Sequence, residues 1–278
     1  MNNGREALPW SAEIWASLDQ TVHAEVDRTG IAGKLLPLRG PMPDATTVPA
    51  EVIDPETMTV ADDAVVPLVE LSVEFALTPT QVDGEASLGT AGTLAARAAN
   101  LIAQAEDLLV FQGDKAADHP IFKQVKRRGS TGPGLLDSAP AAVDVQPQNG
   151  RVGLGTVDAL ARAYGELQAK GQAGPYALVL RSEQYAETLE PLPNTLVMPA
   201  DRLRGLAAQG IFGTAALPER SGLVLSLGGG TIDLVVGVEP AVAFLQVDGG
   251  GLYHFRVFER LAVRLKDAQA LVRLNFTA

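Results

Sequence analysis

Gly174-Pro175-Tyr176-Ala177-Leu178-Val179-Leu180 sets a turn dipeptide directly before an apolar run too short to be a helix, so the run reads as a buried strand. Just upstream, across 156–170, Val157, Leu160, Tyr164 and Leu167 recur on one helical face, and Gly171 supplies a stop. Helix, turn and central strand together mark the middle of a core, and the rest of the chain must be assembled around it.

A chain of 278 residues is long enough for one large domain or two modest ones. Its 28 glycines and 18 prolines predict many turns and argue against a helical bundle. A formal net charge of -11 disfavours nucleic acid as a partner, because binding a phosphate backbone needs clustered Lys and Arg to displace counterions. The absence of cysteine excludes disulfides, thiolate metal sites and cysteine nucleophiles. The three histidines, His23, His119 and His254, are scattered and read as exposed or packing residues. No apolar stretch is long enough to cross a bilayer and the first ten residues carry no signal-peptide pattern, so a soluble cytoplasmic protein with no membrane contact is expected.

Taken in order, Ser11 is a good N-cap for a helix bearing Ile14, Leu18, Val22 and Val26 on one stripe, with Trp10 and Trp15 at the two positions of a hydrophobic staple. Gly30 or Gly33 ends it, and 34–38 reads as a short strand. From 40 to 63 the chain loses periodicity, with Pro41, Pro43, Pro49 and Pro55 among Thr, Asp and Glu. A loop of this length inside a compact domain needs a reason, and two remain open: an arm packed on a neighbouring subunit, or a disordered surface loop. Residues 65–77 alternate as a half-buried strand, and 93–111 carry the longest helical pattern, with Gly113 as its stop. Lys123, Lys126, Arg127 and Arg128 form the densest basic cluster, read as a solvated loop or a contact patch. Beyond the opening strand, Ser182 is a candidate cap for a short helix and 200–209 reads as another. The remainder is β at 223–227, 232–238, 241–247, 253–266 and 270–276, with Gly228-Gly229-Gly230 read as the turn of a hairpin.

Leu227-Gly228-Gly229-Gly230-Thr231-Ile232-Asp233 looks like the phosphate loop of the sugar-kinase, actin and heat-shock-chaperone ATPases. Glycines there would let backbone amides approach a phosphate, with Thr231 and Asp233 available for nucleotide or magnesium-bound water. That fold also needs an earlier phosphate loop with its own acidic residue and a later adenosine loop, and neither is found, so a glycine-rich turn is preferred over an ATP-binding enzyme using 228–233. No nucleophile elbow, paired metal-binding histidines or dinucleotide loop is present either. The expectation is a chain with no catalytic residues, no metal and no cofactor, architectural in role.

Several ordered fragments resemble the encapsulins, shell proteins of bacterial and archaeal nanocompartments that share the fold of tailed-phage major capsid proteins. They are the N-terminal amphipathic helix leading to Gly40-Pro41, Pro67-Leu68-Val69-Glu70-Leu71, the stretch 104–113 with Glu106-Asp107 and Phe111, Gly174-Pro175-Tyr176 with its strand, and Phe255-Arg256-Val257-Phe258-Glu259 onward to Leu274. The resemblance implies an α+β chain of the HK97-like phage capsid fold, with a peripheral domain, an axial domain and an extended loop. It divides the chain into an N-terminal helix and strand on the luminal side at 1–40, the extended loop at 41–66, a peripheral domain at 67–135 and 240–278, and an axial domain at 136–239.

The implied function is self-assembly into an icosahedral homo-oligomer enclosing a cargo enzyme. Ferritin-like iron oxidases, dye-decolorising peroxidases and hemerythrin-like proteins are what the family usually encloses; the alternative is a phage or prophage capsid protein. Cargo docks through a C-terminal targeting peptide, and the groove implied here is built from Leu18, Val22, Leu36, Leu38, Val242 and Phe244, although the same residues suit a core. The fivefold pore would be lined by the loop 187–199, with Glu190, Asn194 and Thr195 facing passing solutes. Two positions depart from the family: Gly33 and Pro37 stand where an Arg and an Asp often flank the groove, which removes a charge-assisted contact to cargo. Some relatives bind flavin through a Trp in the vicinity of Thr80; this chain has none after Trp15, so no flavin is expected.

Overall fold

Residues 3–54, 56–61, 63–148, 151–192 and 195–277 are described by a computed structural model. Two five-stranded sheets organise them. The first runs in the order Leu38–Arg39, Ile232–Val247, Tyr253–Leu265, Val69–Leu77, Lys126–Arg128. It is antiparallel except where Leu38–Arg39 lies parallel to its neighbour. The second runs Gly210–Thr214, Tyr176–Arg181, Ser221–Ser226, Leu271–Phe276, Ala141–Val145, with parallel pairs at both edges and antiparallel pairs in the middle.

The strand Tyr176–Arg181 sits inside the second sheet as its sequence requires. Ala177, Leu178, Val179 and Leu180 are fully buried. Alternation splits them between two cores: Ala177 and Val179 pack in the larger cluster under the first sheet, while Tyr176, Leu178 and Leu180 pack in a second cluster with Leu160, Leu167, Val224 and Leu274. One strand thus cements both cores, each large aliphatic contributing about 1.5–3 kcal/mol of burial.

Two helices cover the inner face of the first sheet. Ala12–Thr29 begins at Ser11, whose side chain accepts from the Ile14 amide, and ends at Gly30, as the sequence predicts. Thr90–Gln112 is the long helix, and its N-terminal amides at Ala91 and Gly92 donate to the buried carboxylate of Glu85 at 2.7 and 3.1 Å. The alanines Ala91, Ala95, Ala98, Ala99, Ala103 and Ala105 are all buried, allowing close packing on the sheet and on the first helix. The staple is also present: Trp10 and Trp15 lie 5.0 Å apart, and Trp10 stacks on Phe255 at 5.2 Å.

Four short strands between 47 and 67 pair into a two-stranded ribbon. Thr47–Pro49 pairs with Val65–Pro67, and farther out Val52–Asp54 pairs with Thr59–Ala61. The outer part buries almost nothing of its own: Met58 is 84% exposed and Val60 55%. At its base Val48 packs with Leu68, Val235 and Ala262, and the outer pair is tied to the same subunit by the Ile53 amide, which donates to the Lys266 carbonyl at 2.8 Å.

Several expectations need correction. Residues 34–38 are not one strand but a helical turn, Ala32–Leu35, followed by the two-residue strand Leu38–Arg39, because the Asp107 carboxylate accepts from the Ile31 and Ala32 amides and starts a helix there. The segments 232–238 and 241–247 are one bulged strand. The helix expected over 200–209 spans Pro199–Leu203, and the one after the opening strand starts without a Ser182 cap. Gly228-Gly229-Gly230 is not a hairpin turn: Ser221–Ser226 belongs to the second sheet and Ile232–Val247 to the first, so the glycines carry the chain between sheets. A Cβ at Gly228 would fall 2.5 Å from the Ala173 carbonyl oxygen and 2.6 Å from that of Gly174, so the crossover requires glycine there. The grouping of 240–278 also crosses sheets, since Leu271–Phe276 hydrogen-bonds with Ser221–Ser226 in the second.

Candidate functional site

Most of the residues expected to form a peptide groove are core. Val22 and Val242 have no exposure, Leu18 and Leu36 have 3%, and Phe244 has 9%. The physical reason is the start of the chain itself. The Phe244 amide donates to the Asn3 carbonyl at 2.9 Å, and Arg5 donates to the Val242 carbonyl at 2.8 Å while pairing with Asp19 at 2.7 Å. Gly4 presses so close that a Cβ there would lie 2.4 Å from the Phe244 carbonyl oxygen, and its φ of 72° suits glycine. Residues 3–8 therefore strap over the strand where a ligand was expected. Phe244 packs inward, edge-on to Phe255 at 5.5 Å.

Leu38 is the exception, 56% exposed, and it opens onto a cleft of about 350 Å³ farther along the same helix. The N-terminal helix supplies Val26 to one wall, Leu38 stands at the edge of the first sheet, and Val236, Val238 and Leu261 form the opposite wall. These residues are brought together because the first helix packs against the strand Ile232–Val247.

The inner end of the cleft is acidic. Glu106 of the long helix and Glu259 of the strand Tyr253–Leu265 both line it and are 5% and 3% exposed. Burial, then the charges of Glu259 and Asp107, raises the Glu106 carboxyl well above the ordinary carboxylate range. Burial, reinforced by the Asp107 charge, pushes Glu259 up to about 8. The two carboxyls lie within hydrogen-bonding reach of each other, and burial favours the protonated form of both. Burial also pushes neighbouring Asp107 up to about 6, opposed by the amides of Ala32 and Ile31 that donate to it. Glu259 Oε1 has no hydrogen-bond partner. Gly33, where a charged neighbour was expected in the family, is exposed; a Cβ there would have only Glu106 Oε1 near it, at 4.0 Å.

Sequence reasoning missed this pair as a site, although a signal existed. In Phe255, Val257, Glu259 and Leu261 an acid takes an inward position of a period-two pattern, and Glu106 lies on the apolar stripe of its helix between Ile102 and Leu109.

The other expected sites separate clearly. Glu190 and Thr195 are exposed in the segment after Ser182–Thr188, where the Leu192 amide donates to the Val197 carbonyl at 2.9 Å; Asn194 lies outside the described residues. Leu196, 91% exposed, is the most prominent apolar side chain there. The phosphate-loop residues are fully engaged: the Thr231 hydroxyl donates to the Ser226 carbonyl at 3.1 Å, and buried Asp233 accepts from Arg264 twice at 2.8 Å. Lys266 lies 3.2 Å from the same carboxylate. No group of residues suited to hold a metal occurs among the described residues. Of the basic cluster, Lys123 ends the turn Pro120–Lys123 and the other three form an edge strand, with Lys126 paired to Glu74 at 2.6 Å and Arg127 to Asp114 at 2.9 Å. Charges on an edge strand discourage pairing with a stray strand.

Comparison with known proteins decides the family. Residues 1–262 match the family described as encapsulating protein for peroxidase (Linocin_M18). The chain belongs to this encapsulin family. The type 1 encapsulin shell protein EncA of Myxococcus xanthus is 27% identical over 289 residues, covering 98% of this chain and 96% of that protein. The virus-like particle from Pyrococcus furiosus superposes with a TM-score of 0.73 at 19% identity, covering 95% of this chain and 100% of that one. The capsid of Myoviridae phage XM1 follows at 0.59 and 12%, covering 88% and 90%. The fold of this encapsulin is therefore the HK97-like capsid fold. Its relatives are named as shell proteins, not as enzymes, which removes the ATPase alternative and leaves the phage capsid reading the weaker one.

Proposed function

We propose that the protein acts as the repeating tile of a closed nanocompartment and that the cleft beside the N-terminal helix receives a peptide of the enclosed protein. The ribbon 47–67 carries the assembly reading. Its tip exposes Met58, Val60 and Val52 on a two-stranded element, and such a ribbon is marginal in water unless another surface covers it. A neighbouring copy supplies that surface. The cleft reading rests on Val26, Leu38, Val236 and Val238, all partly accessible on an otherwise buried face. The docked segment is the C-terminal peptide of a cargo enzyme, the compartment is cytoplasmic, and the cleft faces the lumen.

In the same reading, residues 67–135 with most of 240–278 make the peripheral part of the tile, and 136–239 the axial part. The segment with Glu190, Thr195 and exposed Leu196 gathers at the fivefold pore. Negative-stain microscopy of the purified chain tests the proposal: closed particles of uniform size are expected, and a stable monomer at high concentration contradicts it. Replacing 52–61 by a short Gly-Ser linker should leave folded subunits that no longer close.

A further inference from the structure

We propose that the inner end of the cleft is a receptor for one cationic side chain, Lys or Arg, of the docked segment, and that Glu106 and Glu259 select it. The inference rests on the docking reading above and adds the chemistry of the ligand. Three independent observations carry it.

The first is an acid pair with no cation beside it. Among the described residues, no ion pair reaches Glu106, Asp107 or Glu259. The cations that line the cleft are engaged elsewhere: Lys34 donates to the Arg28 carbonyl at 3.0 Å, and Arg260 donates to the Pro43 carbonyl. Asp107 spends its oxygens on the Ile31 and Ala32 amides. The remaining rim groups are His23, Asp27 and Glu239, so the rim adds negative charge.

The second is the orphaned acceptor. Apart from the neighbouring Glu106 carboxyl, Glu259 Oε1 is buried with no donor, and a buried acceptor without a donor costs about 1–3 kcal/mol and is uncommon in native structures. The third is space. Gly33 leaves a gap over Glu106 Oε1, and a Cβ there would meet no other atom within 4 Å. A side chain entering over Gly33 meets the acid pair, while its methylenes lie along Val26, Leu38, Val236 and Val238. Lys and Arg have this form, an apolar stem with a charged head. A cation in this place favours ionisation of the pair and releases protons that burial holds on it, so the preference for it grows as pH rises.

An array of apolar octapeptides tests the inference on assembled particles. Each peptide carries a single Arg, a citrulline or a Glu, placed in turn at every position, and binding is read by fluorescence polarisation. Citrulline keeps the shape of Arg and removes its charge. The expected result is a preference for Arg over citrulline of about tenfold or more in at least one register, larger at about pH 8 than at about pH 6. Glu106→Gln/Glu259→Gln should erase the preference while retaining citrulline-peptide binding. Gly33→Arg, at an exposed position that does not threaten folding, should erase it by supplying the cation internally. Equal binding of Arg and citrulline peptides to the unaltered shell overturns the inference and leaves peptide docking standing; no binding by any member overturns both.

Discussion

Two acidic clusters lie buried on opposite faces of the first sheet, and they are built in contrary ways. On the ribbon face, Asp233 is 2% exposed and receives two bonds from Arg264, with Lys266 and, through them, Glu51 completing an alternating network. On the helix face, Glu106 and Glu259 have only each other. The paired cluster is structurally complete and fixes the base of the ribbon, since Glu51 belongs to the ribbon and accepts from Lys266 at 2.6 Å and Arg264 at 3.0 Å. The unpaired cluster opens on a cleft and has no cation beside it, so burial favours its protonated form. Full pairing argues against a ligand at Asp233, and missing pairing argues for one at Glu259.

Variants can break this contrast or sharpen it. The largest effect is expected for Phe244→Asp, which places a further carboxyl on the helix face where the strap 3–8 covers the strand. Truncating a buried Phe alone costs about 3–5 kcal/mol, and an unpaired buried charge adds to it, so soluble particles should not form. Val238→Asp, on the accessible cleft wall, should assemble and lose peptide binding; if the two variants behave alike, the division between core and cleft fails. Asp233→Ala should cost about 3–5 kcal/mol because Arg264 is left buried without its partner, read as a fall in melting temperature and as increased proteolysis at the ribbon.

Glu259→Gln should act in the opposite direction. The folded state raises this carboxyl from its ordinary value to about 8, so the folded protein binds more protons than the unfolded chain between about pH 4.5 and 8. Stability that is present at the lower end of that window is lost as pH rises through it, by at most about 1.4 kcal/mol per pH unit for one group. The Gln variant should be more stable than the parent near pH 8 and nearly equal to it at the acidic end; denaturant midpoints that fall in parallel would show that the acid pair does not titrate in this window. The smallest effect is expected for Lys126→Ala, whose exposed pair with Glu74 is worth about 0–1 kcal/mol by the same midpoint measurement.

Much of the fold was legible because it depends on local pattern. The run 176–180, the stripe of the first helix with its Ser11 cap and tryptophan staple, and the long alanine-rich helix all appear where periodicity puts them. Errors arose where a distant residue decides local structure. The amides that turn 32–35 into a helix are held by Asp107, 75 and 76 residues away. The glycines at 228–230 connect sheets instead of closing a hairpin, and only strand partners far along the chain reveal this. The groove was misplaced for the same reason: Val242 and Phe244 suit a docking surface by composition, but the strap at Asn3 and Arg5 covers them. The acid pair was readable only as two charges in apolar phase on separate elements, and their meeting at the cleft needed the fold.

A cryo-electron microscopy reconstruction of the purified particles tests most directly whether this chain is a shell tile with an inward-facing docking cleft. The expected map shows the ribbon 47–67 laid over an adjacent subunit, Met58 and Val60 covered by that neighbour, and the cleft at Leu38 and Glu106 open to the interior. A ribbon folded back on its own subunit, or a cleft opening on the outer surface, would contradict it.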